Sequence, residues 1–402
     1  MLSYHNTRYI KWGEIMSQFD EVIKRDGSLS LKWDFIKETC EEEDLLPMWV
    51  ADMDFQAPKA VIDALQKRVD HGIFGYTITP PSTGDAITEW MSKRHQWDIK
   101  RSWLLYSNGV VPSLALTIQA FTKPGDAVLI QSPVYPPFFE MIKRNERRVI
   151  NSPLHLKNGR LQIDFHDFES KLQQGVKLFF LCSPHNPGGR VWNKEELIQI
   201  AELCKKYDCL IIADEIHGDL VAPPYKHIPI ASLNKSYEEF IVTCVAPSKT
   251  FNLAGLQASS MIVPNPTLRE KLRATQRRQG FSELNMFATF GIEAAYRHGE
   301  KWLDEVLQYI RANITLVKRF VQEEIPHVKV IEPEGSYLIW LDCRDIGLSD
   351  EELHKRLREG GKLVLEPGTK YGAGGEGFVR MNIGCPRTIV QEGLARMKKA
   401  IG

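Results

Sequence analysis

The fold is decided by residues 246–255, which read APSKTFNLAG and follow the apolar run 240–245. Closer to the N-terminus, residues 209–217 read CLIIADEIH. An apolar run that ends in an acidic residue is typical of a buried strand, so we expect Asp214 at the carboxyl end of one. The second run brings Lys249 just beyond the end of another strand. The two stretches predict a carboxylate and a lysine at the same edge of a sheet.

A lysine and a carboxylate on neighbouring strand ends suit pyridoxal phosphate. The lysine forms a Schiff base with this cofactor, and the acid pairs with the protonated nitrogen of its pyridine ring. A single lysine after a strand is more often a solvated loop charge. The prediction therefore depends on Lys249 and Asp214 together.

The composition bounds the class of protein. The chain has 402 residues, more than one compact core usually holds, so we expect two domains. Its 51 basic and 51 acidic residues cancel, which leaves no overall basic field to attract nucleic acid or a membrane surface. No apolar run approaches the roughly 18 residues of a membrane span. The composition thus argues against a nucleic-acid or membrane protein.

The cysteines and the N-terminus indicate the compartment. The seven cysteines form no C-x-x-C pair and no metal-ligand cluster, so we expect no metal site. Several lie in apolar runs, where a buried, inert thiol is expected, and this suits a reducing cytoplasm. Residues 1–15 contain no apolar segment of the signal-peptide type, and we interpret them as an N-terminal extension.

From about residue 100 the sequence alternates apolar runs with amphipathic stretches. The predicted strands are residues 103–107, 127–131, 177–182, 209–213, 240–245 and 259–263. The helical stretches between them include residues 114–121, 194–207 and 268–279. This alternation predicts an α/β domain with a mostly parallel sheet. Ligands of such sheets bind beyond the carboxyl ends of the strands, where Asp214 and Lys249 fall.

A second, smaller unit is predicted after a long helix at residues 300–324. Short runs at 336–341, 362–365 and 378–383 and a helix at 389–400 read as a small α+β domain. The predicted organisation has an extension at 1–15, a segment at 16–60 that packs on the small domain, a large cofactor-binding domain at 61–300 and a small domain at 301–402.

Three loops offer further contacts for the cofactor. Residues 107–113 read SNGVVPS, and the free amides of the helix that begins there suit a phosphate. Asn186, in the turn-rich loop 183–190, can donate its amide to the phenolic oxygen. Tyr135, between prolines, can stack on a flat ring. Each of these loops alone is more often structural.

Arg380 and His217 each allow two interpretations, one structural and one functional. Residues 378–382 read FVRMN, and an arginine in an apolar strand needs a partner because burying its charge is costly. That partner is either an internal acid or the carboxylate of a substrate held by two hydrogen bonds. His217 is either a core histidine or a hydrogen-bonding group near the ring oxygen or Asp214.

The motifs SKTFN at 248–252, HNPGGR at 185–190 and Asp214-Glu215 together resemble the class I/II aminotransferase superfamily over residues 16–400. This resemblance implies the fold-type I architecture, with a mostly parallel seven-stranded sheet in the large domain and a smaller α+β domain. Three more stretches resemble the cystathionine β-lyase, or cysteine C–S lyase, branch: MWVADMDF at 48–55, DEIH at 214–217 and FVRMNIGCPR at 378–387.

The resemblance also implies roles for individual residues. Lys249 is the Schiff-base lysine and moves the proton, and Arg380 binds the substrate α-carboxylate. The implied cofactor contacts are Asp214 at the ring nitrogen, Asn186 and His217 near the ring oxygen, Tyr135 on the ring face, Ser248 beside the lysine, the amides of Val110 and Val111 at the phosphate, and Tyr76 at the phosphate of the neighbouring subunit.

The chain departs from the common pattern at three positions. It has His217 where many aminotransferases carry a tyrosine, Gln257 where many carry a phosphate-binding arginine, and Ala246 where a serine is common. We expect the phosphate to depend on backbone amides, neighbouring hydroxyls and Tyr76, and we assign no phosphate contact to Ala246 or Gln257. These departures favour the lyase branch.

The resemblance implies a cytoplasmic homodimer that cleaves the Cβ–S bond of cystathionine or related cysteine conjugates, giving a thiol, pyruvate and ammonia. Two alternatives stay open. An aminotransferase would use the same residues, and a non-catalytic regulator could keep the fold. Such regulators often carry an N-terminal DNA-binding domain, and only about fifteen residues precede the shared region here, too few for a helix-turn-helix unit.

Overall fold

The structure is a computed structural model that describes residues 17–39, 43–281 and 283–402. The predicted N-terminal extension at 1–15 lies outside the described residues.

Helices and strands alternate along most of the described chain. The α-helices in this part are α1 Asp34–Thr39, α2 Lys59–His71, α3 Pro81–His95, α4 Val110–Phe121, α5 Pro136–Arg144, α6 Phe165–Leu172, α7 Lys194–Lys206, α8 Pro247–Thr250, α9 Pro266–Arg278, α10 Met286–His298, α11 Glu300–Glu324, α12 Asp350–Lys355 and α13 Arg387–Ile401. The strands are β1 Leu46–Pro47, β2 Leu104–Ser107, β3 Ala127–Ile130, β4 Arg148–Asn151, β5 His155–Lys157, β6 Arg160–Gln162, β7 Leu178–Cys182, β8 Leu210–Asp214, β9 Ile241–Val245, β10 Ser259–Ile262, β11 Lys329–Val330, β12 Leu338–Asp342, β13 Leu363–Val364, β14 Glu366–Pro367 and β15 Phe378–Asn382.

The large sheet has seven strands in the order β2-β10-β9-β8-β7-β3-β4. Strand β10 runs antiparallel to both of its neighbours, and the other pairings are parallel. The predicted α/β fold with a mostly parallel seven-stranded sheet is thus confirmed. The edge strand β4 was not among the predicted strands, because its side chains are partly exposed and it begins with a charged residue.

The central strands are apolar throughout because helices cover both faces of the sheet. Side chains alternate between two cores: Phe179 and Ile211 belong to one, and Phe180 and Ile212 belong to the other. Helices α4, α5 and α9 contribute to the second core, while α6, α7 and α10 contribute to the first. With both faces buried, the functional groups can lie only at the strand ends and in the loops.

The smaller sheet is antiparallel, in the order β11-β12-β15-β14. Strand β1 pairs with β13, so part of the N-terminal segment lies beside the C-terminal residues. The amide of Asp54 donates to the carbonyl of Gly384, and the amide of Asn382 donates to the carbonyl of Met48. The exact domain boundaries, near residues 60 and 300, stay predictions.

The N-terminal segment is held by a buried cluster of charges. Lys32 is 1% exposed, and its Nζ donates to Oδ2 of Asp54 at 2.5 Å. Arg25 donates to Oδ1 of the same carboxylate at 2.7 Å. Because Lys32 is shielded from water, its charge depends on Asp54 for compensation.

Within the described residues, no helix is both long and apolar enough to cross a membrane.

We predict that Asp54→Ala lowers the free energy of unfolding by about 3–5 kcal/mol, because it removes the carboxylate 2.5 Å from the buried ammonium of Lys32, which then depends on Oδ1 of Asp52 at 4.0 Å. Asp63→Ala is the matched control, since it breaks an exposed Lys–Asp pair of 2.7 Å and should cost less than ~1 kcal/mol. Urea denaturation of the three proteins measures both values. Equal small losses would show that the buried cluster does not hold the segment.

Candidate active site

A cavity of about 430 Å³ opens at the carboxyl edge of the large sheet. Strands β8 and β9 run parallel there, with Asp214 opposite Cys244. Helix α8 begins at Pro247 directly after β9, and it carries Lys249 in its single turn. The lining includes Trp49, Val50, Ala51, Asn108, Gly109, Val110, Val111, Tyr135, Asn186, Asp214, His217, Ser248, Lys249, Gln257, Glu366, Tyr371 and Arg380.

Asp214 is a buried carboxylate, 3% exposed, at the end of a strand. The amide of Ile216 donates to its Oδ1 at 3.2 Å. Burial raises the pKa of Asp214 to about 7, although this hydrogen bond and the charge of Lys249 oppose the shift. A carboxylate in this environment is stabilised by a cation that enters the cavity, and a pyridinium nitrogen is such a group.

Lys249 is held by a carbonyl of the N-terminal segment. Its Nζ donates to the oxygen of Ala51 at 2.5 Å. Burial lowers the pKa of Lys249 to about 8, and the charge of Arg380 acts in the same direction. The amine is therefore more readily neutral, and more nucleophilic, than an exposed lysine near neutral pH.

Arg380 is buried in β15 without a carboxylate partner among the described residues. It is 4% exposed, its Nη1 donates to Oδ1 of Asn186 at 3.0 Å, and its Nη2 donates to the carbonyl of Trp49 at 2.7 Å. Its Nε has no hydrogen-bond partner in the described part of the chain. The internal ion pair is therefore not formed, and a buried guanidinium facing a cavity suits an anion.

Asn186 and Tyr135 line the cavity as the sequence predicts. Arg380 occupies Oδ1 of Asn186, which leaves the Nδ2 group as the donor for a ligand. Tyr135 immediately precedes α5, and burial raises the pKa of its phenol to about 12. It therefore stays neutral and presents an aromatic face.

The start of α4 forms a cradle suited to a phosphate. Gly109 has φ 121°, a conformation that favours glycine, and α4 begins at the next residue. The amides of Val110 and Val111 lie in the first turn, where a helix has no internal acceptors for them.

The remaining predicted residues are placed as follows. His217 is buried, and its Nδ1 pairs with Ser336 at 3.2 Å and not with Asp214. Burial, with the charges of Lys249 and Arg380, lowers the pKa of His217 to about 3, so the ring is neutral. Ser248 and Gln257 line the cavity, and Ala246 precedes α8. Tyr76 is exposed and lies outside the cavity lining of its own chain.

The sequence reasoning missed the part played by residues 48–55, which we call the N-terminal strap. The carbonyl of Ala51 also accepts from the hydroxyl of Tyr337 at 3.0 Å. Asn382 donates to the carbonyls of Val50 and Asp52. The motif at 48–55 was the available signal, but hydrogen bonds to main-chain carbonyls leave no trace in side-chain pattern.

The residues present fit pyridoxal phosphate. The cavity combines a buried acid that needs a cation, a lysine with a lowered pKa, an amide donor, the first amides of a helix, and a guanidinium whose Nε has no hydrogen-bond partner among the described residues. Among the described residues, no group of three or more histidine, cysteine or acidic side chains could hold a metal ion.

Comparison with known proteins identifies the family. A sequence model described as aminotransferase class I and II matches residues 43–397, so the chain belongs to this family. It is 49% identical over 384 residues to cystathionine beta-lyase PatB of Bacillus subtilis (strain 168), covering 95% of this chain and 99% of that protein. It is 33% identical to protein MalY of Escherichia coli (strain K12), over 96% of this chain and 99% of MalY.

Among solved structures, cystalysin from Treponema denticola, which contains pyridoxal 5'-phosphate, superposes with a TM-score of 0.93 at 36% identity, over 96% of this chain and 99% of cystalysin. The predicted resemblance to the class I/II superfamily and its C–S lyase branch is confirmed by these matches. The roles of the individual residues stay predictions.

We predict that the rate at which cofactor-free protein incorporates pyridoxal phosphate rises with pH and levels off above about pH 8. Only the neutral amine attacks the aldehyde, and the pKa of Lys249 is about 8. Below that value the rate should fall by about tenfold per pH unit, as for any group that must lose a proton.

Borohydride reduction and peptide mapping follow the incorporation, with Lys249→Ala as the control that gains no label at this site. An increase that continues to about pH 10, the range of an ordinary lysine, would contradict the lowered pKa.

Proposed function

We propose that this protein is a pyridoxal phosphate-dependent lyase that cleaves the Cβ–S bond of cystathionine and related cysteine conjugates. The products are a thiol, pyruvate and ammonia. The observation that carries the proposal is the meeting of Lys249, Asp214 and the unpaired Arg380 in one cavity. The similarity to PatB, at 49% identity over nearly the whole chain, supports the lyase reaction in particular.

When bound, pyridoxal phosphate supplies a ring that accepts electrons from the α-carbon of an attached amino acid. Asp214 would hold its pyridine nitrogen, and Nδ2 of Asn186 would donate to its ring oxygen. The amides of Val110 and Val111, with the hydroxyl of Ser248, would hold the phosphate. Tyr135 would cover one ring face, while neutral His217 lines the same cavity and is held by Ser336.

Arg380 and Lys249 perform the work on the substrate. The guanidinium binds the α-carboxylate through two hydrogen bonds and so fixes the orientation of the Cα–H bond. Lys249 takes the proton from Cα as general base. The electron pair freed at Cα then forms a Cα=Cβ double bond while the Cβ–S bond breaks, and the Cβ–S pair leaves with sulfur as the thiolate. Water hydrolyses the released aminoacrylate to pyruvate and ammonia. The carbonyl of Ala51 holds the protonated amine of Lys249 in place.

Transamination is the second outcome that the same residues permit. In that reaction Lys249 returns the proton to the cofactor and no bond to sulfur breaks. His217, Gln257 and Ala246 stand where aminotransferases commonly carry other residues, which favours the lyase. A regulator without catalysis would have no use for an unpaired guanidinium in the cavity.

We also propose that the protein is a homodimer and works in the cytoplasm. An apolar run extends into solvent at Ile73, Phe74, Tyr76 and Ile78, which are 60–113% exposed. Such a patch is typical of an interface, and a second copy of the chain would cover it. Tyr76 would then reach the phosphate in the partner's cavity. The described cysteines are free, which suits a reducing compartment.

Incubation of the holoprotein with cystathionine tests the reaction directly. We expect pyruvate, ammonia and homocysteine in equal amounts without any added 2-oxo acid. Product formation only after a 2-oxo acid is supplied would identify an aminotransferase. No product under either condition would favour the remaining alternative, a non-catalytic regulator.

We predict that mixing two inactive variants, Lys249→Ala and Tyr76→Ala, restores part of the lyase activity. In a mixed dimer, one cavity combines Lys249 of one subunit with Tyr76 of the other and is complete. Each variant refolded with itself is the control. If Tyr76 acts within its own chain, no mixed cavity is complete, and the mixture stays inactive.

A further inference from the structure

Glu366 is a charged residue of the cavity lining to which the proposed function assigns nothing. Asp214, Lys249 and Arg380 are the other charged groups of the lining, and each has a role there. Glu366 lies on β14 directly opposite Arg380 on β15. It is 8% exposed, so its carboxylate has lost most of its contact with water.

The ion pair between Glu366 and Lys370 does not explain why Glu366 is buried, because Lys370 is too exposed for the pair to stabilise the fold by much. Nζ of Lys370 lies 2.7 Å from Oε1 of Glu366, but the Lys370 side chain is 51% exposed and that of Glu366 is 11% exposed. Ion pairs with a solvated partner contribute little, typically less than ~1 kcal/mol, and burying a carboxylate is costly. An apolar side chain at position 366 would serve the fold better, which indicates a function for the charge.

Trp49 connects this ion pair to the Arg380 site. Its carbonyl accepts from Arg380 at 2.7 Å, and Nζ of Lys370 lies 5.7 Å from the centre of its indole ring. The same tryptophan borders a second cavity of about 550 Å³, which Lys370 also lines. Trp49 thus lines both cavities, with Glu366 and Arg380 in the first and Lys370 in the second.

We propose that Glu366 and Lys370 form a subsite for the far end of the substrate and select a second α-amino acid group there. This inference rests on the proposed function. The ammonium of that group pairs with Glu366, and its carboxylate pairs with Lys370, so the substrate replaces one ion pair by two. Cystathionine has such an end.

The subsite discriminates by charge. An uncharged far end leaves the Glu366–Lys370 pair intact and gains nothing from it. A far end with only a carboxylate can pair with Lys370, but it meets the like charge of Glu366, which lines the first cavity, and has no ammonium to offset that repulsion. A far end with only an ammonium pairs with Glu366 but displaces Lys370. Cysteine conjugates should therefore follow the order zwitterionic, cationic, uncharged, anionic.

The test compares kcat/KM for cystathionine, S-(2-aminoethyl)cysteine, S-ethylcysteine and S-(2-carboxyethyl)cysteine. We expect Glu366→Gln to lower the cystathionine-to-S-ethylcysteine ratio at least ~10-fold and to raise the relative rate with the carboxyethyl conjugate. Lys370→Gln, at a half-exposed position, should lower the same ratio and disfavour the carboxyethyl conjugate.

The matched control is Asp345→Asn. Asp345 forms an exposed ion pair of 2.6 Å with Lys329, and both residues lie outside the two cavities, so this variant should leave every ratio unchanged. Melting temperatures verify that all variants fold. Ratios that stay constant in Glu366→Gln and Lys370→Gln would overturn the subsite, as would an equal loss with all four substrates.

Failure of the proposed function gives a different result. A wild-type holoprotein that releases pyruvate from none of the four conjugates refutes the lyase. The subsite is then tested by titrating the visible absorbance of the bound cofactor with cystathionine and with S-ethylcysteine. Glu366→Gln should reduce the ratio of the two binding constants at least ~10-fold, and an unchanged ratio would overturn the inference.

Discussion

The burial of the Asp214 carboxylate is the constraint on which the site depends. A negative charge buried at the edge of the sheet is stabilised when a positive group meets it, because its burial removes most of its contact with bulk water. The neighbouring strands keep this charge where it is, and β9 and α8 bring Lys249 to the same edge. The large sheet thus places a buried negative charge where a cationic ring would compensate it.

The N-terminal strap converts this edge into a closed site. Its consecutive carbonyls accept hydrogen bonds from several regions of the chain: Arg380 and Asn382 in β15, Tyr337 directly before β12, Lys249 in α8, and Asn252 after α8. Asn252 also accepts from the amide of Met53. Because the strap contacts the site through main-chain atoms, the position of its backbone matters more for the site than the identity of its side chains. Trp49 and Asp54 are the exceptions.

The sequence predicted the parts of the molecule that leave a pattern in residue types. The buried strands around Asp214 and Lys249 are continuous apolar runs, so their limits differ from the prediction by about one residue. The helix at Glu300–Glu324 was predicted at its observed bounds. Strand β4 is half-exposed and mixed, and the strap bonds through its backbone, so neither produces a periodic signal. Glu366 lies in a two-residue strand, too short for a pattern, and only its register opposite Arg380 reveals its place in the cavity.

The hydrogen bonds of the strap also fix the order of events during synthesis. The strap leaves the ribosome long before Arg380 and Asn382, which hold it: Arg380 lies 331 residues after Trp49, whose carbonyl it contacts. A growing chain can form the central strands and present Asp214 and Lys249 while the strap is still without its anchors. The strap is therefore anchored only once β15 has been made, and the lysine acquires this part of its surroundings later than the sheet on which it lies.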